Sequence, residues 1–532
     1  MAIKINDLCL GEETKLSQKF MGKTVYAKLI DFGALPSANT EKSVPHGITN
    51  MDQFGIDNSR SFVDQGNGNR HALFYPNTVE NAFWRAKVNE SDVAIQVGQA
   101  REGFSAVICV WYTKRFEIEN PVDDQSDYPG EINFTLLGGS GNQKGLGVNR
   151  INDNILLAGD SGSGALLAQY DLDLNLSRVQ AYSSTYSLVN TIPYNDGYMG
   201  YSRIMIRTND QLTFLSNLSY RPSENGELHR IYATPEDFEG SAAYLTMGQY
   251  NSKSFITSLD PSWNVLQSVV CSSSSTVFRR AIIDKDRCVF SGRCDFNSKK
   301  SGLITIFNAN IQALENIVVT TGGIDYLEHI AKRPGGYVLA GYSTGTGSGK
   351  NNIVVVLLDE NFDIEKKIFV NGSGAETLTD MQLDQAGNIV IVGTTTSVTA
   401  GGTDGLFMVF DPDLNIKTQH TFGGTKADSY ESVYINNPGN YLLAGTTSST
   451  PNSGSKAFVL NLVGKVADLH GSIQKYPALR FNALPGFTTS DQFTLAVHRN
   501  VTLTHSVKSL TINSPTITMK NTNITQDPGA VI

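Results

Sequence analysis

The chain has 532 residues, a formal net charge of −9 and only 17% charged residues, which leaves no basic footprint for nucleic acid and no composition typical of disorder. No apolar run approaches the roughly 18 residues that a membrane-crossing helix needs. Five cysteines, few and odd in number, argue against a disulfide framework, and Cys288 and Cys294 are expected as free thiols. Residues 1–21 read as a polar N-terminal arm with one helical turn around Glu12 to Lys19. The opening Met1-Ala2-Ile3-Lys4-Ile5-Asn6-Asp7 has no apolar signal region, so the expectation is a protein made in a cytosol.

Residues 22–115 read as a small β-sandwich. Thr24 to Phe32 alternates and is rich in β-branched residues, Gly33, Pro36 and Asn39 break it, and Ser105 to Tyr112 is a second strongly apolar strand. Within this unit stand Gly22-Lys23-Thr24-Val25-Tyr26-Ala27-Lys28, Asp31-Phe32-Gly33-Ala34-Leu35-Pro36, Lys42-Ser43-Val44-Pro45-His46-Gly47-Ile48 and Trp111-Tyr112-Thr113-Lys114. In this order the four pieces resemble a domain that recurs in tail-fibre and related appendage proteins of tailed bacteriophages. Ser37 stands where that family usually has Asn, and the tract from Met51 to Lys87 is longer than its pattern. The resemblance implies a structural or attachment role in a virion, with other virion proteins as partners. The acidic, proline-bearing stretch 116–130 follows as a linker.

Residues 131–465 read as a β-propeller. One pattern is written three times between Gly322 and Lys465. Glycines open each copy, as in Thr321-Gly322-Gly323, Asn371-Gly372-Ser373-Gly374 and Phe422-Gly423-Gly424. A β-rich run then ends on Gly341, Gly393 or Gly445, and a Ser/Thr/Gly loop leads to a second apolar run. Fainter copies carry glycines at 159, 200, 248 and 292. A repeat of about 40–50 residues with several strands per unit is the signature of a propeller blade, which must stack on neighbours to bury its faces. Seven markers predict seven blades, or six if the weak copy at Gly200 is not one. The strand from Glu131 to Leu137 is placed to complete the last blade and close the ring.

Asp171-Leu172-Asp173-Leu174-Asn175 recurs as Asp260 to Asn264, Asp359 to Asp363 and Asp411 to Asn415. Such loops fit either a calcium site or a hairpin turn in which Asp and Asn bond their own backbone; no twelve-residue loop with a closing Glu supports calcium, so turns are expected. Residues 466–532 alternate Ser/Thr/Asn with apolar residues, as in Val501 to Val507. They read as strands that pack on the body or pair with another subunit, making this segment a C-terminal β-rich assembly element and the clue to a homo-oligomer, with a trimer or hexamer in view.

Candidates for chemistry are few. Gly159-Asp160-Ser161-Gly162 has the letters of a nucleophile loop but no matched His and Asp, and Gly345-Thr346-Gly347-Ser348-Gly349-Lys350 lacks the spacing and following helix of a phosphate loop. Eight scattered histidines form no His-x-x-x-His pair, and no catalytic residue, metal site or cofactor is expected. Tyr198, Tyr201, Tyr342 and Tyr430, in or near blade loops, are the candidates for stacking on a host-surface glycan. The expected whole is an all-β virion component, in a tail, fibre or other appendage, with a propeller for assembly and recognition; the alternative is a polysaccharide depolymerase with carboxylates at the propeller mouth.

Overall fold

The structure is a computed structural model. It describes residues 131–138 and 141–464 apart from 183–186, 195–196, 202–204, 213, 222–225, 236, 251, 272–274, 398–400 and 452–453, and beyond that span the strands named below with short adjoining stretches. The linker expected over 116–130 lies outside the described residues. The chain divides into two compact units, Met1–Val122 and Asp123–Ile532.

In the first unit Glu13–Phe20, Lys23–Ala34, Ser105–Lys114, Phe62–Asp64 and Arg70–Ala72 form one sheet, with Met51–Ile56 also paired to Ser105–Lys114. Glu41–Pro45, Asp92–Val97 and Trp84–Val88 form another. Tyr26, Ile30, Phe32, Ile108 and Val110 of the first sheet share one core with Val93 and Ile95 of the second, which makes a sandwich. The helical turn expected around Glu12 to Lys19 is instead a strand: Glu13–Phe20 lies antiparallel to Lys23–Ala34. A single helical turn is costly to nucleate, whereas the neighbouring strand offers a ready ladder.

The second unit is a seven-bladed propeller. Blades 1 to 6 span residues 144–182, 190–221, 226–271, 277–320, 325–371 and 376–423, each an antiparallel meander of four strands. Blade 7 takes three strands from 428–463 and its fourth from Glu131–Gly138, which pairs with Lys456–Val463 and closes the ring. The blades' third strands are the most completely buried, as in Asn352–Asp359 and Asp404–Phe410, because they are covered on both faces by adjacent blades. The weak marker Gly200 does belong to a blade, in the strand Gly197–Tyr201. In five blades the marker glycine, at 159, 292, 341, 393 or 445, sits in the second strand where the first strand crowds it: a Cβ at Gly292 would lie 1.8 Å from the Val277 carbonyl oxygen. Larger residues cannot occupy that point, which is why the glycine recurs.

The Asp-containing loops are turns. Asp171, Asp260, Asp359 and Asp411 each accept the backbone N–H of the residue four further on, at 2.8 Å. Inside each turn a bulky residue adopts positive φ, namely Leu174, Trp263, Phe362 and Leu414. All four are buried, so core packing offsets the backbone strain.

Residues beyond 465 pack on the propeller's own blades. Tyr476–Asn482, Thr488–Ser490, Ala496–His498, His505–Val507, Thr511–Asn513, Met519–Lys520 and Thr525–Pro528 pair in turn with the fourth strands of blades 6, 5, 4, 3, 2, 1 and 7. The tail therefore circles the ring against the direction of the blades and ends on the strand that closes it. Each blade's outer edge, otherwise an exposed template for strand addition, is paired within the chain. The sequence left two options for this segment, and the ladders belong to the first, packing on the body.

Candidate functional site

The candidate site lies on the propeller axis. It is built by a bulge repeated in the first strands of blades 1 and 3 to 7, where two residues oppose the single marker glycine of the second strand. Consecutive side chains can thereby both face inward. The bulged residues are Leu146, His229, Arg279, Glu328, Thr379 and Glu431. Directly after them come Gly147, Arg230, Arg280, His329, Asp380 and Ser432. Blade 2, whose first strand Asn190–Tyr194 pairs without a shift, contributes to neither ring.

The second of these rings is a charged hub. Asp380 of blade 6 is 4% exposed. Its carboxylate accepts a hydrogen bond from Arg280 of blade 4, and lies 3.9 Å from Arg230 of blade 3. From blade 7 it accepts the Ser432 hydroxyl and the Val433 N–H, both at 3.2 Å. Arg230 and Asp380 meet from blades three apart, so their contact crosses the axis. Burial opposes the charge on Asp380, but the Arg280 and Arg230 guanidiniums outweigh it and hold the carboxyl below its usual range. His329 has its imidazole driven far toward the neutral form by burial and by Arg280. Its Nδ1 is buried without a hydrogen-bond partner.

One layer nearer the face where the first strands begin, Glu328 receives two more guanidiniums. Arg293 donates to its Oε1, and the Arg279 Nε lies 3.5 Å from its Oε2. Arg293 also covers the ring of Tyr326 at 4.8 Å, and Tyr326 stacks on Tyr342 with centroids 4.8 Å apart and planes 16° apart. The result is a column of one guanidinium and two phenol rings beside a doubly paired carboxylate. In blade 7, burial pushes the Glu431 carboxyl up, a shift moderated by the Ser429 hydroxyl and by Lys144.

Of the four tyrosines singled out in the sequence, only Tyr342 belongs to this arrangement, and it is half-buried. Tyr198 and Tyr201 are 4% and 2% exposed and lie in inter-blade cores. Tyr430 is fully buried, packed against Phe422 and Phe458, with its hydroxyl 3.1 Å from His420 Nε2. These three rings have no face for a sugar, and the four are not one site. The hub and mouth residues are not legible in the sequence because the position they share carries a different residue from blade to blade, as in Arg280, His329, Asp380 and Ser432. The signal was indirect: each bulge lies opposite a marker glycine, roughly a dozen residues upstream of it in most blades.

Other polar groups on the same side are structural. In blade 5 the buried Asp325 accepts the hydroxyls of Thr320, Thr321 and Ser343 at 2.6–2.7 Å, pinning the glycine-opened loop to its blade. Asp428 does the same in blade 7 with the Gly424 N–H at 2.8 Å and the Ser449 hydroxyl at 2.7 Å. Ser161, in the nucleophile-like loop, donates its hydroxyl to the Gly164 carbonyl at 3.0 Å. Cys288 and Cys294 are free and buried, and burial pushes both thiols up to about 12. No cluster of three metal-type ligands occurs among the described residues.

No family model and no curated protein matches the chain. Among solved structures it is similar to Drosophila Plexin A in complex with Semaphorin 1b, at 9% identity and a TM-score of 0.33, over 61% of this chain and 86% of that one. It is also similar to the tricorn protease, at 11% identity and a TM-score of 0.23, over 56% of this chain and 28% of that one. At these scores neither likeness bears on function, and the propeller stands on its own strand pairing.

Proposed function

We propose that this chain is a structural component of a bacteriophage virion, mounted in a tail, tail fibre or other appendage, with the propeller as a rigid disc for recognition. The observation that carries the disc role is the belted ring: the fourth strand of every blade is paired at two to four positions by the chain's own tail, which leaves the loops and mouth of the two faces as the propeller's open recognition surfaces. The appendage assignment is supported by the resemblance of residues 22–115 to phage tail-fibre domains. Because the tail is used within the chain, attachment to other virion proteins and any homo-oligomer contact are assigned to the Met1–Val122 unit. The site of action is the virion, after synthesis in the host cytoplasm.

The test is quantitative mass spectrometry of purified virions. The chain is expected at a fixed ratio to the tail proteins, and its absence from intact particles would overturn the assignment. The depolymerase alternative is decided by incubating the protein with host capsule polysaccharide and measuring polymer length. Unchanged length is expected, and shortening would select the enzyme.

A further inference from the structure

We infer that the outer wall of the ring carries, between blades 3 and 4, a binding site for the side chain of a tyrosine on a partner polypeptide. This goes beyond the recognition role proposed above, because the site belongs to the belt and not to the mouth. The first argument compares three junctions. Gln419, Lys367 and Asn316 stand at the same point of the fourth strands of blades 6, 5 and 4, two residues before the ladder to the tail. Each holds the passing tail. Gln419 exchanges two hydrogen bonds with the Phe487 backbone, and Lys367 donates to the Phe493 carbonyl and covers its ring at 4.8 Å. The Asn316 carbonyl accepts the Val501 N–H at 3.0 Å. The tail thus seats one phenyl ring between blades 5 and 6 and another between blades 4 and 5. Between blades 3 and 4 it brings Val501 and Leu503 instead. A cavity of about 440 Å³ opens there, with Val269, Ile311 and Leu503 in its wall. That is a size typical of ligand sites. An aromatic ring is the group that this junction lacks by comparison with its neighbours.

The second argument is the polar lining. His505 lines the cavity, fixed by its pairing with Cys271 and by an edge contact between its ring and that of Phe307, centroids 5.3 Å apart. Its Nε2 lies 3.4 Å from Asn316 Oδ1, an oxygen that can only accept, so Nε2 carries the proton and Nδ1 is left as an acceptor. Burial keeps the imidazole neutral. That Nδ1 is buried without a hydrogen-bond partner. A phenol combines the missing ring with a hydroxyl that can donate to it. No Lys, Arg, Asp or Glu stands among the described lining residues, which suits a neutral group. The third argument is the rim. Leu314, at the cavity, is 62% exposed, the most exposed of the large apolar side chains among the described residues. A free phenol would leave it in water, whereas a polypeptide carrying the tyrosine covers it.

The experiment is calorimetric titration of the full chain with N-acetyl-L-tyrosinamide, N-acetyl-L-phenylalaninamide, N-acetyl-L-leucinamide and the peptide acetyl-Leu-Tyr-Leu-amide. The tyrosine amide is expected to bind about tenfold tighter than the phenylalanine amide, the difference that one hydrogen bond makes. The leucine amide is expected to bind more weakly than both. The peptide is expected to exceed the tyrosine amide by about tenfold, through the apolar surface it covers. Leu503→Phe, which supplies a ring from within, is expected to abolish binding and to raise the melting temperature. His505→Leu is expected to bring the tyrosine amide down to the level of the phenylalanine amide. Equal binding of these two amides to the unaltered chain overturns the inference. So does a folded Leu503→Phe variant that binds as before. A peptide that binds no tighter than the tyrosine amide overturns the assignment to a polypeptide. None of these results bears on the virion assignment, which the composition of purified particles decides by itself.

Discussion

Two regions tie the blades together, and they do it by opposite means. The hub concentrates its connections in one carboxylate: Asp380 gathers groups from blades 3, 4 and 7 within 4 Å of itself. The belt spreads its connections around the whole ring, mostly in ladders of two or three residue pairs per blade. Between the ladders it adds apolar anchors, with Leu479 and Phe481 in the core between blades 6 and 7 and Phe493, Leu495 and Val497 against that of blades 4 and 5. Polar ties reinforce it. Gln419 and the Phe487 backbone exchange two hydrogen bonds, and Arg499 reaches Asp363 at 2.8 Å and Glu315 at 3.4 Å. A concentrated connector fails at one residue; a distributed one fails only when the segment is removed.

Removing the segment is therefore the largest perturbation. Each buried belt anchor contributes about 1.5–3 kcal/mol, and Leu479, Phe481, Phe487, Phe493, Leu495, Val497, Val501 and Leu503 all pack on blade cores. Only Leu479, Phe481 and Phe487 are fully buried, and the other five are partly so, yet even these three contribute an amount comparable to the ~5–15 kcal/mol by which a typical domain is stable. A chain ending at Lys465 is expected to aggregate or to lose cooperative unfolding in calorimetry. Cooperative melting within a few degrees of the full chain would show that the belt is dispensable.

Asp380→Asn should come next. It leaves Arg230 and Arg280 facing each other without a counter-charge, and removing one member of a buried ion pair costs about 3–5 kcal/mol. Urea unfolding of the variant should show that loss at an unchanged m-value. A loss under 1 kcal/mol would mean that the hub carries little of the ring's stability.

Acid gives the smallest effect and touches both regions. His420 is fully buried, and burial alone lowers its pKa from 6.5 to about 3. A folded-state value below the unfolded one contributes stability that is complete above pH 6.5 and is lost as pH falls toward 3. Between pH 7 and pH 5 this amounts to about 2 kcal/mol for His420. His329 in the hub and His505 in the belt are shifted in the same direction. Unfolding free energies at the two pH values should differ accordingly, and His420→Phe should reduce the difference by about 2 kcal/mol. An unchanged difference would refute the assignment.

The sequence alone determined the ring. Five of the marker glycines, at 159, 292, 341, 393 and 445, are readable because one backbone crowding, as at Gly393 against the Thr377 carbonyl oxygen 1.8 Å from its would-be Cβ, forbids a side chain at the same point of their blades, whereas at Gly200 the crowding comes from the Leu188 side chain. The Asp/Asn turns are readable for a similar reason, since their hydrogen bonds close within five residues. Tertiary structure alone decided the hub, the mouth and the path of the belt. Arg280 and Asp380 are 100 residues apart in the chain, and Arg499 is 136 residues from Asp363. These partners are chosen by ring closure and by a tail that turns back over the blades in reverse order, so no local period records them. The same distinction explains the tyrosines: a tyrosine near a blade loop reads alike in sequence whether its ring is sealed between blades, as at Tyr430, or stacked near the mouth, as at Tyr342. Burial depends on what the neighbouring blade brings against the ring, and that is fixed only when the circle closes.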